Sequence, residues 1–282
     1  MLNNVVFRKG KQWGLRYLKQ FLAAGGSPEN PVFINSFPKS GTHLLYQLFE
    51  AREGLRDFGE FIASTPSFTL RQRSVANSLR LLNRVRPGEM FRGHLFHHEA
   101  FDRVLTERRV RHYFIYRDPR DVVCSEAHYL SRMNRWHKMH RKFSQLPSDE
   151  ARVELSILGE SDLPSKVYYP DIGVRMGKYL PWLKSPSVLP IRFEDLVGDE
   201  RREVIAKVGA HFIGVADKKD DRVEVFIANA CDSISPERSH TYRSGGGAGK
   251  WREQFTDRHK ELFKETAGEL LIQLGYETSN AW

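Results

Sequence analysis

The chain is poor in cysteine and has no long apolar run. Its two cysteines, Cys124 and Cys231, are too few for a disulfide framework and lack the spacing of a zinc site, which fits a reducing, cytoplasmic setting. No stretch approaches the ~20 consecutive apolar residues of a membrane span. Near the N-terminus Arg8, Lys9, Lys11 and Arg16 interrupt Val5, Val6, Phe7, Trp13, Leu15 and Tyr17, so that stretch is not a signal peptide. Residues 1–30 read instead as a basic amphipathic segment that packs on the domain or touches a membrane surface peripherally. The Walker A spacing is absent, as are internal repeats and low-complexity linkers.

What is present is a basic chain long enough for a large core: 282 residues, 40% hydrophobic, with a formal net charge of +9. The surplus favours an anionic partner, whether nucleic acid, acidic lipid or a multiply charged small ligand. Basic residues are spread along the chain with no recognisable reading module, so nucleic acid is not expected.

Strand and helix patterns alternate. Strands are expected at 32–34, 89–95, 110–116 and 188–193, and helices at 42–52, 71–85, 119–132, 172–183, 201–212, 222–231 and 257–274. Residues 134–170 read as helical pieces and loops that could cover a site. The alternation implies an α/β fold with a mostly parallel sheet covered by helices on both faces, in one domain over 1–282 with its core at about 31–275. Ligands of such folds sit at the carboxyl ends of the strands.

Chemistry concentrates at two strand-loop-helix junctions. In the first, Phe37-Pro38-Lys39-Ser40-Gly41-Thr42 follows a β-prone run and opens a helix. Backbone amides, the positive helix end, the Lys39 charge and two hydroxyls then converge as an anion cradle, and Gly41 admits close approach. The plain alternative is a capped strand-to-helix turn. In the second, Tyr116-Arg117-Asp118-Pro119-Arg120-Asp121 leads into Val122-Val123-Cys124-Ser125, with Arg117 at a strand end and Pro119 suited to a helix's first turn. Arg117 could hold a phosphate or pair with Asp118 or Asp121. A Gly-rich basic segment, 239–251, follows late in the chain. Ligation of a metal by His94, His97 and His98, or by His137 and His140, is disfavoured for want of cysteines or a carboxylate set.

Taken together, these residues resemble the sulfotransferases that use 3′-phosphoadenosine-5′-phosphosulfate (PAPS). The first junction is similar to that family's 5′-phosphosulfate loop, the second to its 3′-phosphate motif, and Arg243-Ser244-Gly245 with Gly249-Lys250-Trp251-Arg252 to its C-terminal element. The resemblance covers about 31–275. It implies PAPS as co-substrate with no metal. It also implies that Lys39, Ser40, Gly41, Thr42 and, near the reacting edge, His43 hold the phosphosulfate. Arg117, Ser125, Arg243, Ser244 and Gly245 would hold the 3′-phosphate, with Phe193 near the adenine where the family commonly has tyrosine.

The family's catalytic histidine precedes that arginine by about two dozen residues. Here His94 precedes Arg117 by 117 − 94 = 23, so the resemblance implies His94 as base and Lys39 as its catalytic partner. Ser244 stands where lysine is usual. In the family's dimer motif Arg252, Thr256 and Glu261 fit, but Asp257 replaces the apolar valine. The acceptor would be a small molecule, lipid or glycan presenting a hydroxyl or, less favoured, an amine, held by the segments 58–68 and 132–169. Two other readings are a nucleotide-dependent kinase on a P-loop-like fold and a non-enzymatic binder of nucleic acid or acidic polymer.

Overall fold

The computed structural model describes residues 29–50, 54–164, 166–233 and 247–282. Five parallel strands form one sheet: β1 (Val32–Ser36), β2 (Arg56–Ala63), β3 (Glu89–His94), β4 (Arg111–Tyr116) and β5 (Val188–Arg192), in the order β2-β3-β1-β4-β5. The central strand β1 is buried at every position, and its sequence Val-Phe-Ile is apolar on both faces, as a strand covered twice requires. Alternate side chains enter different cores. Phe33, Phe91 and Phe114 lie in one; Val32, Ile34, Tyr113 and Ile115 lie in the other.

Helices cover both faces. In chain order they are α1 (Thr42–Glu50), α2 (Val75–Leu82), α3 (Glu99–Glu107), α4 (Pro119–His128), α5 (His140–Gln145), α6 (Asp149–Leu158), α7 (Ile172–Gly177), α8 (Phe193–Val197), α9 (Arg201–Ile213), α10 (Asp221–Ser233), α11 (Trp251–Gln254) and α12 (Asp257–Gln273). The α/β class and parallel sheet are therefore as the alternation predicts.

Three local expectations are corrected. Residues 56–63 form β2, an edge strand, so the segment 58–68 is loop only beyond Ala63. Its register shifts between Asp57 and Phe61, and Gly59 there takes a φ of 78°, as an edge bulge allows. The helix after Pro119 does not run evenly to Arg132. It passes at Tyr129–Met133 into a π turn, closed by a bond from the Asn134 N–H to the Tyr129 carbonyl at 3.0 Å. The helix expected over 172–183 divides into α7 and a 3-10 turn, Leu180–Lys184, because Pro181 cannot donate to a continuous ladder. Of the amphipathic segment 1–30, all but the last two residues lie outside the described residues, as do Arg243, Ser244 and Gly245. Among the described residues no helix is long and apolar enough to cross a membrane.

Candidate active site

Parallel strands point their carboxyl ends the same way, so the loops after β1, β3 and β4 gather on one edge. Between β1 and α1, Lys39 takes a φ of 70° and Gly41 one of 101°, which folds residues 38–41 tightly around one point. The conformation at Gly41 is one that L side chains rarely adopt. A Cβ there would also lie 2.6 Å from Phe193 Cδ2. The buried Ser40 Oγ has no hydrogen-bond partner, an arrangement that is costly unless a ligand satisfies it.

Lys39 is largely desolvated. Burial lowers its pKa to about 7, against the attraction of Glu126 and with help from Arg117. Its Nζ lies 3.7 Å from the centroid of the Tyr129 ring, a residue that opens the π turn. Such turns recur at functional sites.

At the end of β4, Arg117 and Arg120 have opposite fates. Arg120 is saturated: its Nη2 meets Asp118 at 2.8 Å and its Nη1 meets Glu277 at 2.5 Å, while the Trp251 ring lies 3.9 Å away. Arg117 pairs with Asp121 at 3.4 Å, donates to the Gly247 carbonyl at 2.8 Å and lies 4.6 Å from the Phe193 ring centre. Its Nε is buried and unpartnered. The salt bridge and an unpartnered nitrogen thus coexist in one guanidinium. Asp121 also accepts from the N–H groups of Gly249 and Trp251 at 2.7 and 2.9 Å, which ties the end of the Gly-rich segment to α4. Ser125, two turns into α4, joins Arg117 and Lys250 in the wall of a cavity of 420 Å³.

His94 ends β3. Its Nδ1 lies 2.9 Å from the Ser36 carbonyl oxygen, which can only accept, so Nδ1 carries the proton and Nε2 the lone pair. Ser36 Oγ lies 3.1 Å from the same nitrogen and 2.6 Å from Thr42 Oγ1, linking the ring to the loop. Burial lowers the His94 pKa to about 4, against the Nδ1 bond to the Ser36 carbonyl, which raises it, and with help from the nearby Lys39. The ring is neutral at pH 7. His43 Nδ1 accepts from Arg92 Nη1 at 3.3 Å. Phe193 is 3% exposed and packs under Gly41 and against Arg117.

The remaining histidines of the disfavoured metal clusters have structural partners. His97 packs on Trp182 at 4.7 Å; His98 caps α3 by accepting the Ala100 N–H; His137 accepts the Met139 N–H; and His140 Nδ1 donates to the Leu130 carbonyl.

A second cavity, of 500 Å³, contains Lys39, Thr42, His43, His94, Arg117 and Phe193 in its wall. Arg117 therefore stands between the two spaces. Sequence reasoning missed several members. Glu126 is held by Arg175 at 2.6 Å, Ser156 at 2.7 Å and Tyr169 at 2.9 Å; burial would raise its pKa, but Arg175 and these bonds outweigh that and lower it. Ser36 also escaped notice, whereas Phe61 falls within the segment 58–68 expected to hold the acceptor, its ring 4.7 Å from the His94 ring.

A strand-to-helix loop with a desolvated lysine, an arginine with an unpartnered nitrogen and a neutral histidine meet at one edge of a parallel α/β sheet. Residues 29–275 match the sulfotransferase domain family, and the chain belongs to it; it is a sulfotransferase. Its fold is similar to that of mouse sulfotransferase SULT7A1 complexed with PAP (19% identity, 88% of this chain and 89% of that chain, TM-score 0.56). It is also similar to that of retinol dehydratase in complex with androsterone and inactive cofactor PAP (16% identity, 90% and 85%, TM-score 0.55). No curated protein sequence matches the chain.

Proposed function

We propose that this protein transfers the sulfuryl group of PAPS to a hydroxyl of a small-molecule acceptor, with Lys39 and His94 as catalytic residues. The observation that carries this reading is the meeting of Lys39, Arg117 and His94 on one cavity, beside a buried, unpartnered Ser40 hydroxyl. The phosphosulfate fits the loop of Lys39, Ser40, Gly41 and Thr42, with His43 at its edge. The 3′-phosphate fits Arg117 and Ser125, joined by Arg243, Ser244 and Gly245 of the Gly-rich segment, with Phe193 beneath the nucleotide. When bound, PAPS supplies an activated sulfuryl group on a phosphate leaving group.

The protein's part is to hold and to move a proton. His94 Nε2, its lone pair kept free by the Nδ1 bond to Ser36, accepts the acceptor's hydroxyl proton. Lys39, with the amides of its loop, meets the charge that gathers on the leaving phosphate. Burial and the cations around both side chains depress their pKa values; a bound anion reverses the electrostatic part of that effect. Apolar walls at Phe61, Phe96 and Tyr179 suit a hydrophobic acceptor body. Androsterone in the retinol dehydratase complex is a small, largely apolar molecule and supports an acceptor of that size. The reading includes one sulfotransferase-like domain over 1–282 and a cytoplasmic location.

The donor half is tested by calorimetric titration with 3′,5′-diphosphoadenosine (PAP) and with 5′-AMP. A 3′-phosphate held by Arg117 predicts tighter binding of PAP by tenfold or more, lost in Arg117→Ala. Equal affinities in the wild type would refute the assignment.

A further inference from the structure

The 500 Å³ cavity holds, away from the transfer groups, a charge that sulfuryl transfer does not use. Arg73 and Thr65 are both in its wall, and Arg73 Nη1 and Thr65 Oγ1 are both buried without a hydrogen-bond partner. Unmet buried donors of this kind cost free energy that a ligand can recover.

The backbone fixes where they stand relative to His94. The Arg73 N–H donates to the Ser64 carbonyl at 2.7 Å, and the Ser64 N–H donates to the His94 carbonyl at 2.9 Å. Two such steps in series, each about a strand spacing of ~4.8 Å, hold the Arg73 and His94 backbones within roughly 10 Å of each other. Glu126 is the cavity wall's carboxylate, and Arg175, Ser156 and Tyr169 already occupy it. No ion pair joins Arg73 to a carboxylate among the described residues. Apolar side chains in the same wall include Phe61, Ala63, Pro66, Leu70 and Phe96.

Resting on the transferase reading above, we propose that the acceptor is itself an anion: a molecule with an apolar body, a hydroxyl at His94 and a carboxylate-type oxyanion received by Arg73 and Thr65. The planar guanidinium fork matches a planar carboxylate. The hydroxyl of Thr65 supplies a further donor. A neutral acceptor of equal shape leaves the Arg73 nitrogen unmet, so discrimination comes from the cost of the orphaned charge as well as from the gained contact.

The probes are 4-hydroxyphenylacetate, 3-(4-hydroxyphenyl)propionate and 4-(4-hydroxyphenyl)butyrate, each beside its methyl ester. They are titrated into the full chain saturated with PAP and assayed for label uptake from PAPS. At least one acid is expected to bind about tenfold or more tightly than its ester, with the ratio falling as salt rises. In Arg73→Gln the ratio approaches one, and Arg73→Lys restores part of it. Equal or weaker binding of every acid, no binding of any acid, or a ratio that survives in Arg73→Gln overturns the proposal. The wild-type ratio and its salt dependence decide the matter even if the variants fail to fold. PAP is titrated first: failure to bind it refutes the donor site, whereas PAP binding with no acid preference refutes this inference alone.

Discussion

Replacing Asp121 by alanine tests how the two halves of the donor site are joined. The side chain is 1% exposed and serves three donors: Arg117 Nη2 at 3.4 Å, and the N–H groups of Gly249 and Trp251 at 2.7 and 2.9 Å. Its removal leaves a buried guanidinium without its counter-charge and two backbone donors unmet. Breaking a buried pair costs about 3–5 kcal/mol, and each orphaned neutral donor has a desolvation penalty of ~1–3 kcal/mol before relaxation. The half-buried Gly249 N–H can reach water, so the broken pair dominates and a loss of at least about 3–5 kcal/mol is expected. At roughly 2 °C per kcal/mol for a chain of this size, scanning calorimetry should show Tm lowered by ~6–10 °C. Asp121→Asn, which keeps one acceptor oxygen, should lose less. PAP affinity should also fall in the alanine variant, because Arg117 and residues 247–251 lose their common anchor. A Tm within a degree of wild type together with unchanged PAP affinity would refute the reasoning.

Gly41→Ala places a Cβ 2.6 Å from Phe193 Cδ2 at a φ of 101°, a strain of about 1–3 kcal/mol before the clash is counted. PAP affinity should drop tenfold or more by titration, and wild-type affinity would contradict the packing. Burial holds the Lys39 pKa at about 7, and an anion bound beside it raises that pKa, so binding PAP takes up a proton between the free and bound values. Affinity is then highest below pH 7 and declines as pH rises above it. Calorimetry in buffers of different ionisation enthalpy at pH 8 should detect the uptake; buffer-independent heats at pH 8 would argue against the buried lysine.

The parts of this site that sequence reveals are those written in a few consecutive residues. Residues 37–42 and 116–121 each carry turn chemistry, charge and the start of a helix in one short stretch, so both junctions and their shared sheet edge follow from pattern alone. The β2 strand was hidden because Arg56, Asp57 and Glu60 fall within it and Gly59 interrupts the alternation at an edge where the register shifts. The π turn was hidden because a spacing of apolar residues does not separate i+4 from i+5 bonding. Contacts made far along the chain were out of reach. The Ser36 carbonyl that selects the His94 tautomer is 58 residues away, and Glu126 meets Arg175 across 49. Nothing near Arg73 in sequence marks it as lining the same cavity as His94.

The most direct measurement is transfer of labelled sulfuryl from PAPS to the phenols named above by the wild type and by His94→Ala, with PAP affinity determined for both. Wild-type turnover, with loss of about 100-fold or more in His94→Ala and PAP still bound, is the predicted result. Equal turnover by the two proteins would contradict the assignment of His94 as the base, and PAP binding by a wild type that transfers no sulfuryl to any hydroxyl acceptor would contradict the reaction itself.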